Sequence, residues 1–67
     1  MQNLIQQSIE IIGSQSALAR ACDVSQVAVH KWMLGGGVSP SSALAIERAT
    51  DGKITAAQLL PNIFGNQ

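Results

Sequence analysis

Gln15-Ser-Ala-Leu-Ala-Arg-Ala-Cys-Asp-Val-Ser-Gln-Val-Ala-Val-His-Lys-Trp32 is the stretch whose reading decides the fold. It reads as two short helices joined by a tight turn at Asp23-Val24. Leu18, Ala19 and Cys22 mark the inner face of the first helix. Val29, Trp32 and Met33 mark the inner face of the second, and Val24 fills the corner between them. Ala19 is small where two steeply crossing helices come closest. The residues left outward on the second helix are Gln26, Val27, His30 and Lys31, which are hydrogen-bonding or compact groups rather than a coat of Glu and Lys. A helix with that division of faces suits insertion into a DNA major groove.

Working outward, residues 2–12 predict a first helix. Leu4, Ile5, Ile9, Ile11 and Ile12 form its apolar stripe, while Gln6, Gln7 and Glu10 fall outside. The β-branched run is a mediocre helix former, so packing must hold it. Gly13 is read as a left-handed cap and Ser14 as the N-cap of the next helix, which runs from Gln15 to Cys22. Asp23 occupies a position needing positive φ, where Gly is easiest and Asp is tolerated at some cost. Ser25 caps the third helix, from Gln26 to about Leu34. Gly35-Gly36-Gly37 stops it. The glycine run has two readings, a flexible connector and a backbone that brings its N–H groups close to a phosphate. No strand precedes it and no Gly-Lys-Ser/Thr follows, so it is not a nucleotide loop.

Ser39-Pro40 opens a fourth helix, with Ser at the N-cap and Pro at the first helical position. Ala43, Leu44, Ile46 and Ala49 are its expected inner residues, and Thr50-Asp51-Gly52 its end. Thr55 and Gln58 have the spacing of a capping box for a short fifth helix. Leu59 and Leu60 close the core, and Pro61 is read as that helix's terminator. The expectation is an all-α fold, a compact domain of five helices and no strands spanning residues 1–67.

Composition narrows the function. A chain of 67 residues with one Trp, one Phe and no Tyr supports one small helical core. One cysteine forms no internal disulfide, and Cys22 falls on an apolar face where a buried structural thiol is expected. No signal pattern opens the chain and no apolar run reaches membrane-spanning length, so the cytoplasm is the expected compartment. Four Lys and Arg balance four Asp and Glu, where a DNA-binding domain usually carries excess positive charge. Between Gln15 and Gly37, however, Arg20 and Lys31 face only Asp23, with His30 a further donor. One His and one Cys provide no metal-ligand set, and no paired carboxylates face a plausible pocket. Neither an enzyme, a metal nor a cofactor is expected.

The pattern Gln15-x-x-Leu18-Ala19-x-x-x-Asp23-Val24-Ser25-Gln26-x-x-Val29-x-x-Trp32, followed by Gly35-Gly36, resembles the Cro/CI-type helix-turn-helix family of phage and bacterial repressors, the lambda repressor-like type. Ser39-Pro40, Ala43-Leu44-Ala45-Ile46-Glu47, Thr50, Gly52 and the ending Leu60-Pro61-Asn62-Ile63-Phe64 look like its small Cro-like, YdaS-type prophage subgroup. The resemblance covers nearly the whole chain. Asp23 departs from it, since the family usually places Gly there.

The resemblance implies a helix-turn-helix unit at about 15–34, with Gln26, Val27, His30 and Lys31 meeting bases. Gln suits a bidentate pair with adenine, Val a thymine methyl, and Lys guanine O6/N7 or a phosphate. His30 is read equally as a surface residue. Gln15, Ser25, Ser41 and Ser42 would meet the DNA backbone. Arg20 would do the same or pair with a nearby acid. Arg48 and Lys53 are read as solvated or paired with Glu47 and Asp51. The implied function is a repressor binding a near-palindromic double-stranded operator as a homodimer, with Leu60, Ile63 and Phe64, in the segment 59–67, as the dimer contact. The alternative that the YdaS-type resemblance carries is an antitoxin-like module that binds a toxin partner through the same apolar tail.

Overall fold

In a computed structural model, which describes residues 4–64, the chain forms α1 (Leu4–Ile12), α2 (Gln15–Cys22), α3 (Gln26–Met33), α4 (Pro40–Ala49), α5 (Ala56–Leu59) and α6 (Pro61–Phe64). No strand occurs among the described residues, in keeping with the all-α expectation. Residues 2 and 3 of the expected first helix lie outside the described residues. The helix count among them is six rather than five, because Pro61 starts a further turn instead of ending the chain's regular structure. Proline is well suited to a first helical position, where no N–H is required.

α2 is the packing centre, in contact with α1, α3 and α4. Its Leu18 and Ala19 join Ile5 of α1, Val29 and Trp32 of α3, Ile46 of α4 and Ile54 in one buried cluster. Cys22, Val24 and Met33 pack partly buried against it, as the two-helix reading required. In α1 the predicted stripe is too broad, because Ile11 is exposed and the second fully covered residue is Ser8. Ser8 Oγ donates to the Leu4 carbonyl at 2.8 Å, so the hydroxyl enters the core with its hydrogen bond made inside its own helix.

The caps explain where the helices begin. Ser14 Oγ accepts from the Ala17 N–H at 3.0 Å, Ser25 Oγ from Ala28 at 3.3 Å, and Ser39 Oγ from Ser42 at 3.3 Å. Thr55 and Gln58 complete a reciprocal capping box at α5. Each cap satisfies an amide that a helix start leaves without a carbonyl.

Three helices end in one shared way. After α2, the Val24 N–H donates to the Ala19 carbonyl at 2.9 Å and the Asp23 N–H to Arg20 at 3.2 Å, with Asp23 at φ 57°. After α3, Gly36 donates to Lys31 at 2.8 Å and Gly35 to Trp32 at 3.1 Å, with Gly35 at φ 100°. After α4, Gly52 donates to Glu47 at 2.8 Å and Asp51 to Arg48 at 3.1 Å, with Asp51 at φ 56°. This nested pair of bonds is the Schellman arrangement, which needs a left-handed residue just past the helix. Glycine fills that place once and aspartate twice.

α4 differs from its expected inner face. Ala43 and Ile46 are fully covered, but Leu44 and Ala49 are exposed, and Ser42 and Thr50 are buried in their place. Thr50 Oγ1 donates to the Ile46 carbonyl at 2.8 Å and accepts from the Ile54 N–H at 3.1 Å, tying α4 to the turn beyond it. Glu47 Oε1 accepts from the Ala56 N–H at 2.7 Å, so this carboxylate sits on the amino end of α5 and opposes the positive pole of the helix.

Candidate nucleic-acid interface

α3 has two chemically distinct faces. Val29 and Trp32 are buried against α2, while Gln26, Val27, His30 and Lys31 are exposed. One turn separates Gln26 and Val27 from His30 and Lys31, so the four residues occupy adjacent positions on the solvent side. None of the Gln26, His30 and Lys31 side chains has an intramolecular partner among the described residues. Val27 is 61% exposed, and an aliphatic group so open is available for contact with another molecule. Lys31 also lies in the last turn of α3, where its positive charge is favoured by the helix dipole.

The flanking residues are placed as follows. Gln15 is half-buried at the start of α2, and its Nε2 donates to Met33 Sδ, 3.2 Å away at the end of α3. Arg20 is exposed in the last turn of α2. Ser25 is exposed, with its Oγ engaged as the α3 cap. Ser41 is exposed at the start of α4, with Oγ 3.4 Å from Ser39 Oγ. Ser42, expected beside it at the surface, is buried, and its Oγ accepts from Ser39 Oγ at 3.0 Å. Pro40 and Ser41 hold the outer side of that turn, so the inward position falls to Ser42.

The glycine run is structural at its centre. A Cβ on Gly36 would stand 2.8 Å from the Lys31 carbonyl oxygen, closer than any side chain allows. Gly35-Gly36 is thus a fixed helix stop rather than a slack connector, whereas Gly37 has open space around its Cα. Leu34, just before the run, is 75% exposed. Sequence reasoning treated it as a helix end, although it stands seven residues from Val27 and so nearly repeats its direction. Cys22 is half-buried with Sγ 3.8 Å from the Ser42 carbonyl, and burial pushes its thiol pKa up. It is a packing residue, in a setting that disfavours the thiolate.

At the other end, Leu60 and Phe64 are half-buried, and Ile63 on α6 is 57% exposed. Residues 65–67 of the proposed contact segment lie outside the described residues. No helix among the described residues is long and apolar enough to cross a membrane.

Comparison with known proteins bears on the family and the fold. The family model described as Bacterial toxin YdaS matches residues 5–67. A curated protein of Escherichia coli K12 named as a transcriptional regulator, YdaS, is 40% identical over 58 residues, a match spanning 85% of this chain and 59% of that protein's length. Among solved structures, the Cro protein from a prophage element of Xylella fastidiosa strain Ann-1 superposes with a TM-score of 0.86 at 37% identity, covering 97% of this chain and all of that one.

Proposed function

Because the chain belongs to the YdaS family and has the fold of a Cro protein, we propose that it is a sequence-specific DNA-binding transcriptional regulator. In this reading it is a Cro-like repressor that inserts α3 into the major groove of a near-palindromic operator. The observation that carries it is the division of α3, whose buried Val29 and Trp32 fix the helix while Gln26, Val27, His30 and Lys31 stand free outside.

The chemistry follows from those side chains. Gln26 offers an amide that matches the N6/N7 edge of adenine, Val27 packs on a thymine methyl, and Lys31 reaches guanine O6/N7 or a phosphate. His30 lies alongside as a donor to a base edge or the backbone. Gln15, Arg20, Ser25 and Ser41 flank the helix and serve as backbone contacts, which set register without reading sequence. Ser42 is not part of this set because it is buried. One domain of this size offers little surface for selective binding, so the active form is a homodimer reading two half-sites about one helical turn apart. Leu60, Ile63 and Phe64 form the contact, which removes the exposed Ile63 from water.

The test is a genomic-fragment pull-down with the purified protein beside a Gln26→Ala/Lys31→Ala double variant. Enrichment of one short near-palindrome by the wild type alone supports the reading. Equal enrichment by both, or none by either while both are folded, overturns it. With Arg20 and Lys31 as the two cations per protomer that meet phosphates in this reading, a dimer has a slope of roughly −2 to −4 in log K against log salt. A slope near −10 would contradict the assignment.

A second reading has its own support. The family's description as a toxin and the exposure of Ile63 favour a protein-binding module of a prophage toxin–antitoxin pair. Removing Ile63 and Phe64 then abolishes partner binding, whereas alanine at Gln26 and Lys31 leaves it intact.

A further inference from the structure

We infer that Met33 is a positioning residue for DNA binding, acting through the amide of Gln15; this rests on the DNA-binding reading above. Gln15 is the first residue of α2 and Met33 the last of α3, so their contact joins the two helices of the motif at the end opposite the Asp23 turn. Gln15 Nε2 lies 3.2 Å from Met33 Sδ and donates to it. A side-chain amide carries two N–H groups. With one held by sulfur, the plane of the amide is set and the second N–H remains available to a phosphate oxygen.

The choice of sulfur fits that task. A thioether is a weak acceptor, so it orients the amide without competing strongly with an anionic phosphate. A Gln ordered before binding has less rotamer freedom to lose on binding, which is how preorganisation raises affinity. Met33 also packs against the core cluster, so the sulfur is itself held by the fold. The residue thus links the buried face of α3 to a contact made by α2, and it does so without touching DNA.

The experiment is a double-mutant cycle of Met33→Leu and Gln15→Ala. Leucine conserves volume and removes the acceptor. Affinities are measured for the wild-type-selected duplex and for a scrambled duplex of the same length, with thermal melts of all four proteins. Met33→Leu is expected to weaken binding by about two- to fivefold on both duplexes alike, because a phosphate contact does not read sequence. Gln15→Ala should lose at least as much, and the double variant no more than Gln15→Ala alone.

Binding by Met33→Leu equal to wild type, or losses that multiply in the double variant, overturns the inference. A second measurement works on the free protein. The Gln15 side-chain amide protons should exchange with solvent faster in Met33→Leu than in wild type by NMR, and equal rates overturn the pairing. Failure of the wild type to bind any duplex would instead overturn the DNA-binding reading, and the amide measurement would still decide the Gln15–Met33 pair.

Discussion

The outer face of α3 and the stretch from Ser39 to Gln58 treat their polar side chains in contrasting ways. From Ser39 to Gln58, six side chains turn back into the protein: Thr50 joins Ile46 to Ile54, Glu47 holds the Ala56 amide, Ser39 and Ser42 bond each other, and Thr55 and Gln58 close a box. On the outer face of α3, Gln26, His30 and Lys31 have no such partners. α3 and α4 end with the same Schellman bonds, so the contrast does not arise from backbone geometry. It lies in what the side chains are for. Groups spent on internal bonds hold the fold, and groups left free on a rigid helix can be satisfied by a second molecule.

The most severe way to break this comparison is to remove the inner face of α3. Trp32→Ala should cost about 3–5 kcal/mol, comparable to the whole stability expected of so small a domain, roughly 3–10 kcal/mol. Urea or thermal unfolding followed by circular dichroism should show a largely unfolded protein at 25 °C. A well-folded variant would mean that α3 is not anchored through Trp32.

Substitution on the outer face should separate binding from stability. Gln26→Ala and Lys31→Ala should each cost about 1–3 kcal/mol of discrimination between operator and scrambled DNA, while their stabilities stay within about 0.5 kcal/mol of wild type. A large fall in melting temperature would place these side chains in the fold's own economy.

The inverse pattern is expected at Thr50. Thr50→Val keeps the shape and leaves the buried Ile54 N–H without its acceptor, which should cost about 1–3 kcal/mol of stability. DNA affinity of the folded fraction should not change. The smallest effect has the opposite sign. Asp23→Gly relieves a left-handed backbone and removes a negative charge from a helix C-terminus, and should stabilise by about 0.5–1 kcal/mol after the greater chain freedom of glycine in the unfolded state. A destabilised Asp23→Gly would mean that the aspartate makes a contribution beyond its backbone conformation.

Legibility in the sequence followed the range of the interaction. The caps Ser14, Ser25, Ser39 and Thr55 act over three residues, and each was readable from its neighbours alone. The positive φ at Asp23 was readable because the length of the turn demands it. Periodicity served α2 and α3 well, since their inner faces are apolar. It misplaced Ile11, Leu44 and Ala49 because it counts apolarity, whereas Ser8 and Thr50 gain admission to the core by bonding carbonyls four residues back. The family resemblance implies a surface position for Ser42, but packing between α4 and α2 covers it. Pro61 suits an ending and a beginning equally, and only the following residues' packing distinguishes the two. Of the candidate site, the outward α3 residues were legible as a pattern. The Gln15–Met33 contact was not, because it spans 18 residues of chain and depends on how the two helices cross.

The central place of α2 has a consequence for how the molecule breathes. A helix covered by α1, α3 and α4 can expose its amides only when those neighbours separate, so the Leu18 and Ala19 protons should exchange at the rate set by global opening. α6 is one short turn at the edge, in contact chiefly with α5, and its amides should exchange through local fraying. A second molecule that settles on Ile63 would suppress the local fraying of α6, and, by binding only the folded chain, would slow the α2 amides too. One that engages α3 would slow the α2 amides and leave the fraying of α6 unchanged. Deuterium uptake along a single 67-residue chain therefore reports which end of the protein a partner has met.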